Sequence, residues 1–261
     1  MRDFHTHSNY SDGSFLFRMV RAAEDANLDG IGFADHCTVS AREYTKDARA
    51  ARGFNLDVTY ERRRRAIEEL REDAAVEIYD AVEMDYDPRD EAEIRDFLDR
   101  ADFDYVIGSV HDISEMNVQV PSNFAPMSDE ERDGIVDRYF DTLSALVESE
   151  LFDIAAHPDL IERTPGLRGR ATDDHYRRLA RAFASSRTVP EINAGRALTD
   201  AGIVHPAERF FSTLREYDVP FTVGSDSHEP EQVGARREFL GTHLETVDVD
   251  PVSPPSLDLD G

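Results

Sequence analysis

The 261-residue chain predicts an α/β fold, a single distorted (β/α)7 barrel of the TIM-like kind. Three observations lead there. Seven short apolar runs alternate with helix-period segments, the order expected of right-handed βαβ units on a parallel sheet. Several runs are apolar throughout, as strands covered on both faces are. Six of the seven run ends carry acidic or imidazole side chains, whereas an open sheet concentrates its site at one switch point. Seven units instead of eight imply an incomplete or distorted closure.

The runs and helices follow in order. Residues 2–4 form the first run. Ser14 stands as the N-cap of a helix to about residue 27, with Leu16, Met19, Val20 and Ala23 on one face. Residues 30–34 are the second run, and the helix over 60–73 leads to the third, 76–82. The intervening stretch 37–60 is placed over the mouth of the site. A helix over 89–100 turns Ala92, Ile94, Phe97 and Leu98 inward and precedes the run 105–108. The loop 114–127 is a second cover. The helix 128–149 opens with Ser128-Asp129-Glu130-Glu131, a capping box. Then come the run 152–156, a helix 173–185, the run 189–192, a helix 206–217 with Pro206 in its first turn, and the run 220–223. Residues 1–248 make the barrel. Residues 249–261 make a Pro/Asp-rich tail that reads as a frayed end.

Asp and Glu number 55 against 29 Lys and Arg, a formal charge of −26, and Lys46 is the only lysine. Such a surface suits a salt-rich cytoplasm, because net charge keeps a protein soluble. At molar salt a Debye length of roughly 3 Å screens its self-repulsion. The same balance counts against long nucleic acid as a ligand, since phosphate backbones are held by basic faces. The one basic cluster, the four arginines at 62–65, shares its helix with Glu61, Glu68 and Glu69 and reads as a solvated, ion-paired face. Cys37 is the single cysteine, so no internal disulfide is expected. No apolar stretch approaches a membrane span, and strand-like residues from Asp3 leave no room for a signal peptide. A cytoplasmic protein is expected.

The run ends carry the chemistry. In His5-Thr6-His7 the two imidazoles point the same way, as residues i and i+2 of a strand do, and Asp12 follows in a polar turn. Asp226 and His228 repeat that spacing after the last run, beside the first strand if the barrel closes. His36, His111 and His157 each follow an apolar run. Glu83 ends the third run, where a carboxylate can bridge two ions; Asp85, on the same face, is its rival. Any one of these residues is as well explained by a surface or structural role. As a set, such donors hold two or three divalent ions (Zn, Mn or Fe), the apparatus for hydrolysing phosphate esters. Asn193 is placed to orient a substrate, and Arg163 and Arg196, with Arg168 and Arg170, to meet a phosphate through the guanidinium fork. His175, His205 and His243 read as bystanders.

Together these motifs resemble the PHP (polymerase and histidinol phosphatase) family, in its motif order and over nearly the whole chain. The resemblance implies the distorted (β/α)7 barrel already read from the runs. It is strongest to the monofunctional histidinol-phosphatase branch, through Ile107-Gly108-Ser109-Val110-His111, Tyr139-Phe140 before the stretch ending His157-Pro158-Asp159-Leu160, and Glu191-Ile192-Asn193. It implies one ion held by His5, His7, Glu83 and Asp226. A second would lie between Glu83, as the bridge, His111 and His157, and a third between Asp12, His36 and His228. Where that branch often has a further histidine after the HxH pair, this chain has Asp12, an acid that other PHP phosphoesterases use. The expected activity is hydrolysis of a small phosphomonoester, L-histidinol phosphate by preference. The alternatives are a phosphodiesterase or exonuclease acting on nucleotides or short oligonucleotides, and a metal-stabilised module without turnover. A complete ligand set argues against the last.

Overall fold

The computed structural model describes residues 1–257 and 259. Seven βα units follow one another along the chain. β1 (Arg2–Thr6) leads to α1 (Leu16–Asp25), and β2 (Gly30–Cys37) to α2 (Glu43–Arg52) and α3 (Tyr60–Arg71). β3 (Glu77–Asp85) leads to α4 (Glu91–Ala101). β4 (Tyr105–Ser109) leads to a small hairpin, β5 (Asp112–Ile113) and β6 (Met116–Asn117), then to a short α5 (Pro121–Phe124) and the long α6 (Asp129–Glu148). β7 (Ile154–Ala155) leads to α7 (Asp173–Ala184). β8 (Val189–Arg196) is followed by β9 (Ile203–His205) and α8 (Glu208–Glu216), and β10 (Thr222–Gly224) by α9 (Pro230–Val247).

The sheet runs β1-β2-β3-β4-β7-β8-β10 with parallel neighbours throughout; β9 adds an antiparallel strand to β8. Closure comes just past the end of β10. Asp226 N donates to His5 O at 2.7 Å, His7 N donates to Ser227 O at 2.9 Å, and Thr6 bridges Ser227 in parallel. The first and last strands therefore meet at the rim that carries His5, His7 and Asp226. Inside the lower barrel, Phe4, Ala34, Tyr79, Ala81, Tyr105, Ile107, Ile154 and Ala156 pack together. Glu83 lies two residues beyond Ala81 on the same face of β3, so the interior turns from apolar to polar toward the carboxyl ends. That is the end at which barrels of this type build active sites.

The structure departs from the sequence expectations in several places. Ser14 does not cap α1: Phe15 takes the N-cap position without a side-chain bond, and Asn9 Oδ1 accepts from Leu16 N at 3.1 Å instead. The capping box at Ser128 forms as expected, with both reciprocal bonds. Pro206 falls just before Ala207, the N-cap of α8. The stretch 37–60 contains α2, none of whose residues is buried. α9 was not legible, because its buried apolar residues are only Val233, Leu240 and Leu244, with Gly234 and Gly241 between them. Those three stand at helical spacing, but so few apolar residues in 18 leave little of the periodic signal on which such a reading rests.

Two further expectations are overturned. Among the four arginines at 62–65, Arg63 is fully buried, not solvated. The tail is not frayed where it is described. Val252 N donates to Phe221 O at 2.8 Å, Ser256 N donates to Asp153 Oδ1 at 2.9 Å, and Leu257 and Leu259 pack on the lower-barrel cluster. Its prolines suit an extended strap that needs few backbone donors. The expectation for residues 258, 260 and 261 lies outside the described residues. Two partly buried leucines contribute about 2 kcal/mol. Deleting residues 251–261 is therefore expected to lower the melting temperature by about 4–8 °C without changing activity, as checked by thermal unfolding beside a rate assay. Among the described residues no helix is long and apolar enough to cross a membrane.

Candidate metal centre

All nine residues singled out at the run ends converge on one site. Glu83, reaching up from β3, is the hub. His157 Nε2 lies 3.1 Å and His111 Nε2 3.5 Å from Glu83 Oε1. His36 Nδ1 lies 2.7 Å, His5 Nε2 3.7 Å and His7 Nε2 3.8 Å from Glu83 Oε2. His5 and His7 bring their Nε2 atoms within 3.2 Å of each other, as the i, i+2 spacing requires. Asp226 Oδ1 is 3.5 Å from His7 Nε2. Toward the mouth, Asp12 Oδ1 is 3.6 Å from His36 Nε2 and 3.4 Å from His228 Nε2. This outer group is more open: Asp12 is 41% exposed, whereas Glu83 is 1% exposed.

The donor set fits divalent ions. Three groups have ligand atoms mutually within 4.8 Å: His5, His7 and Glu83; His36, Glu83 and His111; and His7, Asp12, His36 and His228. No N–H points at Glu83 Oε2 among the described residues, although His36 Nδ1 is 2.7 Å away. A buried carboxylate oxygen ringed by imidazole nitrogens without a hydrogen bond is costly, and a cation among those nitrogens satisfies it. Strain is also stored here. His157 (φ 28°) and Asp226 (φ 54°) both hold left-handed backbone, a conformation that clusters at functional sites.

The electrostatics follow from burial and from Glu83. Burial disfavours the His36 imidazolium, but Glu83 outweighs it and raises the pKa to about 9. His5 is raised well above its usual value, against burial, by Glu191 and Glu83. Burial lowers His7 to about 4, helped by His228 and His36. It also lowers His157 to about 4, despite Glu83. Glu83 and Asp226 are held well below the carboxylate range against their own burial, Glu83 by His36, His111 and His5, and Asp226 mainly by His7. The cluster therefore favours positive charge at its centre, which protons or metal ions can supply.

A second ring of carboxylates orients these imidazoles. Glu191 Oε1 takes His5 Nδ1 at 2.7 Å, and its Oε2 accepts from His157 N at 3.0 Å. Gly224 makes room for this, since a Cβ there would fall 1.8 Å from Glu191 Oε1. Asp85 is not a rival of Glu83: it accepts from His111 Nδ1 and turns Nε2 toward the site. A ligand's second nitrogen bonded to a carboxylate is the usual support of a metal histidine. Sequence reasoning passed over Glu191 and misread Asp85.

Five basic or amide groups were expected to meet substrate: Arg163, Arg168, Arg170, Arg196 and Asn193. Arg163 lines the cavity at the site, about 330 Å³ in volume, and is held from several sides. Its Nε donates to His205 Nε2 at 2.9 Å, and its NH2 group donates to Asn193 Oδ1 at 3.1 Å and pairs with Asp226 Oδ2 at 3.3 Å. Arg196 is exposed and lines the same cavity. Asn193 is fully buried and also donates to Glu191 Oε2 at 2.9 Å, so it touches the arginine and the second ring. Arg170 is tied to Asp133 and Asp129 on α6, and Arg168 Nε donates to Glu162 O. His175 lies on α7 and pairs with Asp137 at 3.1 Å. His205, read as a bystander, is fully buried; its Nδ1 donates to Asp159 Oδ1 at 2.6 Å while Nε2 accepts from Arg163. Burial lowers its pKa, which keeps the neutral tautomer that this arrangement needs.

Residues 3–195 match the model of the PHP domain, and residues 207–246 match that of the PHP-associated segment. The chain belongs to the PHP-domain family. Its relatives include a protein named probable histidinol-phosphatase from Deinococcus radiodurans. That protein is 27% identical over 221 residues, covering 83% of this chain and 81% of the relative. A histidinol-phosphatase from Lactococcus lactis subsp. lactis is 28% identical over 257 residues, covering 92% of this chain and 87% of the relative. A solved structure of histidinol phosphate phosphatase from Lactococcus lactis, complexed with zinc, L-histidinol and phosphate, superposes with a TM-score of 0.73. At 21% identity, with 97% of this chain and 95% of that one covered, it speaks for a shared fold.

Proposed function

We propose that this chain is a metal-dependent phosphomonoesterase that hydrolyses L-histidinol phosphate to L-histidinol and phosphate. The observation that carries the reading is Glu83 at the centre of five imidazoles, with Arg163 and Arg196 lining the same cavity. The histidinol-phosphatase relatives over most of the chain support the substrate. His5, His7, Glu83 and Asp226 would hold one ion; Glu83, His111 and His157 a second; Asp12, His36 and His228 a third. The chemistry of these sites suits Zn, Mn or Fe. Such ions, when bound, supply Lewis acidity toward phosphoryl oxygens and a water acidic enough to ionise near neutral pH.

The chain's own residues do the rest. Arg163, braced by His205 and Asn193, presents its guanidinium to the phosphate in a set orientation, so little entropy is lost when the ester binds. Arg196 adds charge from the exposed side. The alcohol would enter an adjoining cavity of about 270 Å³ lined by Phe54, Arg52, Asn117 and Gln119, beside His36 and His111. Phe54 stacks against His36 with ring centroids 6.2 Å apart, an apolar face suited to a flat heteroaromatic group.

The test is phosphate release in high salt with Mn²⁺ or Zn²⁺. Histidinol phosphate should turn over, and a chelator should stop it. Apparent metal affinity should rise from pH 7 to pH 9, because His36, with its pKa raised to about 9, must lose its proton to bind a cation. A nucleotide diester cleaved a hundredfold faster would overturn the substrate, and metal uptake without turnover on any ester would overturn the activity.

A further inference from the structure

Arg63 is among the largest fully buried side chains in the structure, and it lies outside the metal cluster. It comes from α3, on the outer face of the barrel. Its guanidinium reaches inward to Asp80 on β3, with Nε and NH2 at 3.2 and 2.7 Å from Oδ1, and to the backbone oxygen of Ala81. Its remaining arm, NH1, donates to Asp35 Oδ2 at 2.8 Å. Asp35 precedes His36 on β2. Phe33, two residues earlier on the same face, packs with Ile67 of α3, so Asp35 points toward that helix and away from the barrel interior.

Asp35 is fully buried and accepts three more bonds, all from the loop that follows β1. Ser8 N and Ser11 Oγ donate to its Oδ1 at 2.7 and 2.6 Å, and Ser8 Oγ donates to its Oδ2 at 2.7 Å. Because Ser11 spends its proton on Asp35, its oxygen can only accept from His7 Nδ1, 3.4 Å away. That leaves His7 Nε2 with its lone pair facing His5, Glu83 and Asp226. The loop is otherwise pinned by Ser11 N and Gly13 N donating to Ser8 O at 3.0 and 2.9 Å. It passes so close to His7 that a Cβ at Gly13 would fall 2.4 Å from the His7 carbonyl. Asp12 rides on this loop.

We propose that Arg63 is a positioning residue for the metal centre, acting from the outer helix through Asp35 on Ser8 and Ser11, and so on His7 and Asp12. The proposal rests on the reading of the cluster as a metal centre. Four donors saturate Asp35, and an arginine is the one cation that satisfies Asp35, Asp80 and a carbonyl at once with its fixed fork. Without it, Asp35 is a buried anion lacking its counter-charge, and the loop it holds loses its reason to keep this shape. The ions most affected are those that use His7 and Asp12.

The test compares Arg63→Met with Arg64→Met in the full chain. Arg64 binds Asp80 Oδ2 at 2.7 Å and the backbone at Ala101 but does not reach Asp35. Bound metal is counted by elemental analysis at limiting supply, kcat and KM are measured on histidinol phosphate, and folding is followed by circular dichroism. Arg63→Met should bind metal at least about tenfold more weakly, the size typical of losing an outer partner. Its kcat should fall more than its KM rises, and excess metal should restore part of the rate. Arg64→Met should keep wild-type metal content and kcat. Arg63→Met with wild-type metal content, or Arg64→Met losing metal equally, would overturn the proposal. If Arg63→Met does not fold, Asp35→Asn, which keeps the shape but opposes an amide to Arg63, is read by the same criteria. A wild-type chain that takes up no metal would instead overturn the metal centre itself.

Discussion

Glu83→Gln is expected to lower phosphate release by at least about a thousandfold and to strip bound metal, while circular dichroism stays unchanged. The amide keeps the shape of the side chain but removes the charge around which His5, His7, His36, His111 and His157 gather. A neutral amide oxygen is a poor bridge between cations. The metal ions are asked for several kcal/mol of charge stabilisation, and a thousandfold is about 4 kcal/mol. Elemental analysis of the purified variant, beside the rate, separates loss of ions from loss of fold. Retained metal with a rate within about tenfold of wild type would remove Glu83 from the centre of the site.

Arg163→Met is expected to raise KM for a phosphomonoester roughly a hundredfold with a smaller change in kcat. Methionine preserves the apolar stem but offers no donor. A hydrogen bond to a charged group is worth about 1.5–3 kcal/mol, and a hundredfold change is about 2.7 kcal/mol, so one lost bond near the top of that range accounts for the effect. Steady-state kinetics and the inhibition constant of inorganic phosphate should move together. A collapse of kcat with KM unchanged would mean that Arg163 works through Asp226, which it pairs with at 3.3 Å, instead of through the phosphate.

Much of the barrel was legible because its strands are continuous apolar runs and its helices carry periodic apolar faces. What escaped notice lacked those signals. α9 has three buried apolar residues in 18 and two glycines. α2 buries nothing. The tail reads as frayed from its prolines, yet bonds to Phe221 and Asp153 hold it across the lower barrel. At the site, the nine converging residues were legible because they stand at a run's end or in the polar turn that follows it, where a barrel exposes its side chains. Their supports were not. Glu191 meets His5 across 186 residues of sequence, and His205 meets Arg163 across 42. Arg63, in a run of four arginines, has the local sequence of a solvated helix face.

The order of the seven parallel strands, the polar rim and the inventory of acidic and imidazole side chains gathered there were written in the sequence, because strand period and run-end position are local properties of a chain. Which carboxylate is hub and which is brace was settled only by folding: Asp85 and Glu83 lie two residues apart, but one turns to the back of His111 while the other enters the ring of imidazoles. The same holds for Arg63, whose burial depends on Asp35 and Asp80 arriving from two other strands. A charged group goes below the surface only where opposite charge and donors already wait for it, and those partners come from distant segments that only the closed barrel brings together.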